Sequence, residues 1–125
     1  MFGRKRKNTR AKGLHAEQIA ADHLTQLGYT IVERNFTCRV GEIDIIARHG
    51  GDLVFVEVRS RHSSEALDPV YSVNHRKQRK IIQTAEVYLG RKSGPPPAAR
   101  FDVVLVTLGN PPIIEVIPDA FAVME

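Results

Sequence analysis

The chain has one cysteine, Cys38, and no tryptophan among its 125 residues, and aromatic residues make up only 6%. A single thiol excludes an intrachain disulfide and fits a reducing compartment. Cys38 has no histidine near it in sequence, so it reads as a structural thiol. No apolar run approaches the ~18–20 residues of a membrane-spanning helix, and no apolar segment follows the basic N-terminus as a secretory signal would require. The expectation is a cytoplasmic protein that does not enter a membrane. CxxC pairs, a phosphate-cradling glycine loop and a Ser-His-Asp order are also missing. Gly13 and Gly41 are isolated glycines, and His15, His23, His49, His62 and His75 show no metal-ligand spacing.

What the chain does have is length for one domain with a real core, 125 residues of which 42% are hydrophobic. Its charge is unevenly spread. Arg4, Lys5, Arg6, Lys7, Arg10 and Lys12 fall in the first twelve residues with no acid among them. Taking these six from the formal charge of +4 leaves −2 for the rest. Residues 1–12 therefore read as a basic arm without regular structure, suited to lie on phosphates or simply to aid solubility, ahead of a single domain over 13–125. A second cluster, His75, Arg76, Lys77, Arg79 and Lys80, opens a helical segment. Positive charge there opposes the helix macrodipole, which calls for an external reason.

The chemistry concentrates in GEIDIIARHGGDLVFVEVRSR, Gly41 to Arg61. Two β-type runs flank Gly50-Gly51, a tight-turn pair in which glycine supplies positive φ without steric penalty. A two-residue loop opposes His49 to Asp52, Arg48 to Leu53, Ile46 to Phe55, Asp44 to Glu57 and Glu42 to Arg59, and these are assigned to one side of the sheet. Ile43, Ile45 and Ala47 with Val54, Val56 and Val58 make the other. Two acids opposed at ~4.5–5.5 Å repel unless something positive sits between them. Oxygen donors without thiolate or paired imidazole favour magnesium or manganese over zinc. The alternative is a solvated face, which Ile46 and Phe55 on the same side argue against.

Elsewhere, Leu14 to Leu27 has helical periodicity through Ala16, Ile19, Ala20, Leu24 and Leu27, with Gly28 as its stop. Glu17 lies at the edge of that face and reads from periodicity alone as a solvated flank residue. Tyr29–Thr37 is a first strand. Ser60–Val73 is an irregular loop that could close over a substrate. Asn74 caps a helix to Leu89 whose buried face is Ile81, Ile82, Ala85, Tyr88 and Leu89, ended by Gly90. Strands follow at Phe101–Thr107 and, after Asn110-Pro111-Pro112, at Ile113–Ile117, closed by Pro118. There is no internal repeat, and this order predicts an α/β fold with a mixed sheet packed by helices.

GLHAEQIAADHLTQLGYTIVERNF, GEIDIIA, FVEVRSR, VNHRKQRKIIQTAEVYL and RFDVVLV resemble the successive motifs of the YraN family of small bacterial proteins over nearly the whole chain beyond the arm. That family is similar to the archaeal Holliday-junction resolvases and the wider PD-(D/E)xK nucleases. The resemblance implies a restriction-endonuclease-like core, a mixed β-sheet flanked by helices in the order αβββαββ. It also implies a magnesium-dependent endonuclease acting on phosphodiester bonds, with branched DNA as a candidate substrate and a homodimer as a candidate assembly.

Position by position, the helix acid of that motif falls on Glu17, the strand Asp on Asp44 and the third-strand acid on Glu57, the three that would hold Mg2+ or Mn2+. The carbonyl of Val58 is a further candidate ligand. The motif's lysine falls on Arg59, a departure: arginine can hold a phosphate but cannot act as a general base. In the hairpin register Arg59 also faces Glu42, so a simple salt bridge is its alternative role. Lys77 matches a basic position of the second helix; Arg59, Lys77, Arg76, Arg79, Lys5 and Arg6 are the candidate nucleic-acid contacts. Asp102 suits support of the site or of a strand end better than metal binding. Phe121 is a dimer-contact candidate if exposed and otherwise core. Two rival readings remain: a binding module of the same fold with weak or lost catalysis, marked by Arg59, and a protein-interaction component with no nucleic-acid role.

Overall fold

A computed structural model describes residues 2–62 and 73–122, with backbone alone for 2–12. The elements are α1 (Phe2–Gln26), β1 (Thr30–Thr37), β2 (Glu42–His49), β3 (Asp52–His62), α2 (His75–Gly90), β4 (Ala99–Leu108) and β5 (Ile113–Phe121). This is the expected αβββαββ order. One five-stranded sheet runs β1-β2-β3-β4-β5. Its strands are antiparallel except for β3 and β4, which lie parallel because α2 carries the chain back between them.

The two helices cover opposite faces. α1 sets Ala16, Ala20, Ala21 and Leu24 against Ile45, Ala47, Val54, Val56, Val104 and Val106. α2 sets Ile81, Ala85 and Tyr88 against Phe36, Ile46, Phe55, Phe101 and Val103. With a helix on each side, Leu53 to Glu57 and Phe101 to Thr107 are buried without alternation, the pattern of strands covered on both faces.

Several boundaries move. α1 begins at Phe2, not near Leu14, so the backbone is helical where an irregular arm was expected. Arg, Lys and Ala are good helix formers, and the glycines at 3 and 13 cost only about 1 kcal/mol each. Leu27 is 49% exposed, outside the packed face, which uses Ala21 instead. Ser60 to His62 continue β3 beside Val106–Leu108 of β4, and the expected covering loop over 63–72 lies outside the described residues. Gly90 is the last residue of α2 rather than its stop; Arg91 closes it in a right-handed conformation. β5 runs through Pro118 to Phe121, tolerated because the strand is at the sheet edge. Phe121 stacks on Phe101 at 5.0 Å, so it packs within its own sheet. Among the described residues no helix is long and apolar enough to cross a membrane.

The hairpin register holds from His49–Asp52 to Ile45–Val56, around Gly50 (φ 58°) and Gly51 (φ 92°). Alternation corrects the faces. His49, stacked on Tyr29, lies on the α1 side, and Leu53, opposite Arg48, on the α2 side. Ile43 joins the α2-side cluster although Ile45 belongs to the α1 side. Strict alternation would put them together, so β2 rotates between them, at Asp44. Across the ladder, between Arg34 and Phe36, Asn35 has φ 55°, the left-handed conformation that asparagine tolerates better than most residues. The sheet therefore turns over locally at Asn35 and Asp44.

Candidate active site at the break in the hairpin

The β2–β3 ladder stops at Ile45–Val56, so Asp44–Glu57 and Glu42–Arg59 do not form as ladder pairs. Instead the Val58 N–H donates to Asp44 Oδ2 at 2.8 Å, and the Asp44 side chain hydrogen-bonds Glu57. The two acids do come together, but through a gap between strands. Glu57 is 6% exposed. Burial first, then the charge of Glu57 and the hydrogen bond to it, push the Asp44 carboxyl up from 3.8 to about 8; the Val58 N–H opposes this. Two adjacent carboxylates withdrawn from water cannot both ionise cheaply, so Asp44 keeps its proton past its usual range.

α2 provides the opposing charge. Asn74 Oδ1 accepts from the Lys77 backbone N–H at 2.9 Å, which fixes the first turn as an N-cap does. Lys77 Nζ then reaches Glu57 Oε2 at 2.5 Å. This is the reason for cations at that helix start: they face the acids of β2 and β3. A cavity of about 410 Å3 has Asp44, Glu57 and Glu42 on one side and Arg76, Lys77 and Lys80 on the other. Lys80 was not among the sequence candidates, although its spacing four residues after Arg76 puts both on one helical face. Arg79 points elsewhere, toward His75, Ile82 and Glu86. Gly41 also lines the cavity; a Cβ there would lie 3.1 Å from Thr84 Oγ1, so Thr84 would have to give by a few tenths of an ångström.

Glu17 sits close by on α1, near enough to feel Glu57 and Glu42. Burial is the main cause that raises its carboxyl above the usual value, with Arg34 and Asn35 opposing. Its Oε1 is buried without a hydrogen-bond partner, and Arg34 stands 4.0 Å away. Arg59 is half-buried two residues beyond Glu57, beside Leu105 of β4. The side chains of Lys5 and Arg6 lie outside the described residues. Asp102 belongs to a separate network on the α1 side, where it accepts from Tyr29, Arg100 and the Asp119 N–H; it supports strand ends, not the acid pair.

The donors suit a hard divalent cation: all are carboxylate oxygens, half-buried Asp44 and buried Glu57 are adjacent, and one nearby buried oxygen of Glu17 lacks a hydrogen-bond partner. Among the described residues no three His, Cys, Asp or Glu side chains are gathered closely enough to hold one ion by themselves. A larger cavity, about 590 Å3, lies at the hairpin turn between His49, Gly50, Gly51 and Pro95–Pro97. Asp52 is its one acid, so the chemistry belongs to the smaller cavity.

Residues 16–106 match the model of "Uncharacterised protein family UPF0102". The chain belongs to this family. It is the YraN family of the sequence resemblance. Among relatives, a UPF0102 protein of Clostridium kluyveri is 43% identical over 114 residues, 89% of this chain and 93% of its own length. One of Hahella chejuensis is 44% identical, over 88% and 89% of the two chains. A third, of Geobacter sulfurreducens, is 45% identical over 87% of each. The family match spans α1 from Ala16, the hairpin, α2 and most of β4, the elements that build the cavity.

Proposed function

We propose that the protein binds nucleic acid and hydrolyses its phosphodiester bonds with Mg2+ or Mn2+, with branched DNA among its candidate substrates. The observation that carries this reading is the adjacent pair of half-buried Asp44 and buried Glu57, facing Arg76, Lys77 and Lys80 across one cavity. Asp44 and Glu57 would hold the cation, with Glu17 beside them. Such an ion, when bound, lowers the pKa of a water and neutralises charge on phosphate oxygens. The chain's own groups do the rest. Asp44 must release the proton that burial holds on it before it can act as a ligand. The α2 cations draw the backbone to the cavity by sequence-independent attraction, and phosphate contacts set position without specifying bases. Arg59 keeps its proton and can hold a phosphate oxygen but cannot accept a proton from water.

Asp44→Ala and Glu57→Ala should each abolish cation-dependent cleavage of a branched DNA by at least a hundredfold while the circular-dichroism spectrum stays native. A variant that cuts as fast as the parent removes its residue from the site. The second reading, a catalytically weak binding module, is favoured by Arg59 in place of lysine. It predicts salt-dependent DNA binding that survives Asp44→Asn and needs no divalent ion.

A further inference from the structure

Lys77 occupies the carboxylate that a cation would need. Its ammonium sits on Glu57 Oε2, yet the lysine side chain is 54% exposed while that of Glu57 is 7% exposed. Its backbone is pinned by Asn74, so the four-carbon arm can swing without moving α2. A divalent ion and an ammonium on one carboxylate repel each other. Arg76 and Lys80 line the same cavity with Glu42 as the one further exposed acid, so an ammonium turned outward joins two more cations, a cluster that a polyanion would neutralise.

Building on the proposed function, we propose that Lys77 is an exchangeable counter-ion: it closes Glu57 in the cation-free protein and is handed to a nucleic-acid phosphate when a divalent cation arrives. Cation and phosphate binding are then positively coupled through this side chain, and the coupling must be equal in both directions. Lys77 is a positioning residue for phosphate, and the same contact guards the acid pair when no substrate is present.

The test uses the full chain as wild type, Lys77→Met, Lys77→Gln and Asp44→Asn, each checked by thermal melt. Calorimetric titration with MnCl2 alone should show Lys77→Met and Lys77→Gln binding about three- to fivefold more tightly than wild type, the scale of a partly exposed ion pair, and Asp44→Asn losing the site. Anisotropy of a labelled DNA duplex, with Ca2+ as a non-cleaving probe ion, should show that Ca2+ raises wild-type affinity and raises that of the Lys77 variants several-fold less. Binding that needs Asp44 but is no tighter in both Lys77 variants, or a Ca2+ effect of equal size, overturns the exchange and leaves the site standing. No Mn2+ binding to wild type, or equal binding by Asp44→Asn, overturns the site itself and the exchange with it.

Discussion

The β2–β3 hairpin has buried acid near both ends, and the two ends treat it oppositely. By the turn, Asp102 is fully buried on neighbouring β4. Tyr29 Oη donates to it at 2.8 Å, Arg100 Nε at 3.0 Å and the Asp119 N–H at 2.9 Å. Arg100 is shared with Asp52 at 3.2 Å and with His49 Nδ1 at 2.9 Å, and its own pKa is raised, chiefly by the Asp102 hydrogen bond. At the other end Asp44 accepts from one backbone N–H, that of Val58, and Glu57 pairs with one half-exposed lysine, Lys77. A buried carboxylate is tolerated when the fold supplies its partners. The turn end supplies them all; at the open end burial leaves Asp44 holding its proton up to about pH 8, and under the proposed function a divalent cation would take that proton's place.

The largest effect expected from breaking this contrast is at the satisfied end. Asp102→Ala leaves Arg100 and Tyr29 without their buried partner and should lower unfolding stability by ~3–5 kcal/mol in urea, with no change in cation affinity per folded molecule. At the deficient end the sign reverses. Burial keeps a proton on Asp44 between its unfolded value of 3.8 and about 8, so the folded chain binds more protons there than the unfolded one. The contribution of Asp44 to stability should therefore be greatest below that window and fall as pH rises through it, by on the order of a few kcal/mol. Urea unfolding at pH 5 and pH 9 checks this, and Asp44→Asn should flatten the slope and raise stability at pH 9. A smaller effect falls on packing beside the acids: Gly41→Ala, crowding Thr84 Oγ1, should cost about 1 kcal/mol in thermal unfolding.

The same contrast separates what the sequence could say from what it could not. The Gly50-Gly51 turn, the Asn74 cap and the two-sided apolar strands are local signals, and the hairpin and α2 follow from them. The pairing of Asp44 with Glu57 was legible too, as a consequence of the turn length. The break that opens their gap was not, because it depends on Asn35 in another strand and on the rotation of β2 between Ile43 and Ile45. Extrapolating a perfect ladder therefore gave the right neighbours by the wrong contact, and assigned His49–Asp52 to the wrong face. The Tyr29–Arg100–Asp102 network joins residues more than 70 positions apart, a distance at which periodicity carries no signal. Arg79 and Lys80 differ only in helical phase relative to a cavity that tertiary packing creates.

Under the proposed function Asp44 and Glu57 form a cation site at which nucleic acid is cut. Its most direct test is a calorimetric Mg2+ and Mn2+ titration of wild type and Asp44→Asn at pH 8.5, with cleavage of a branched DNA followed in the same samples. One cation site should appear that depends on Asp44, tightens from pH 6.5 to 8.5, and is required for cleavage. Equal cation binding by Asp44→Asn, or DNA binding with no cation dependence and no cleavage, would contradict it.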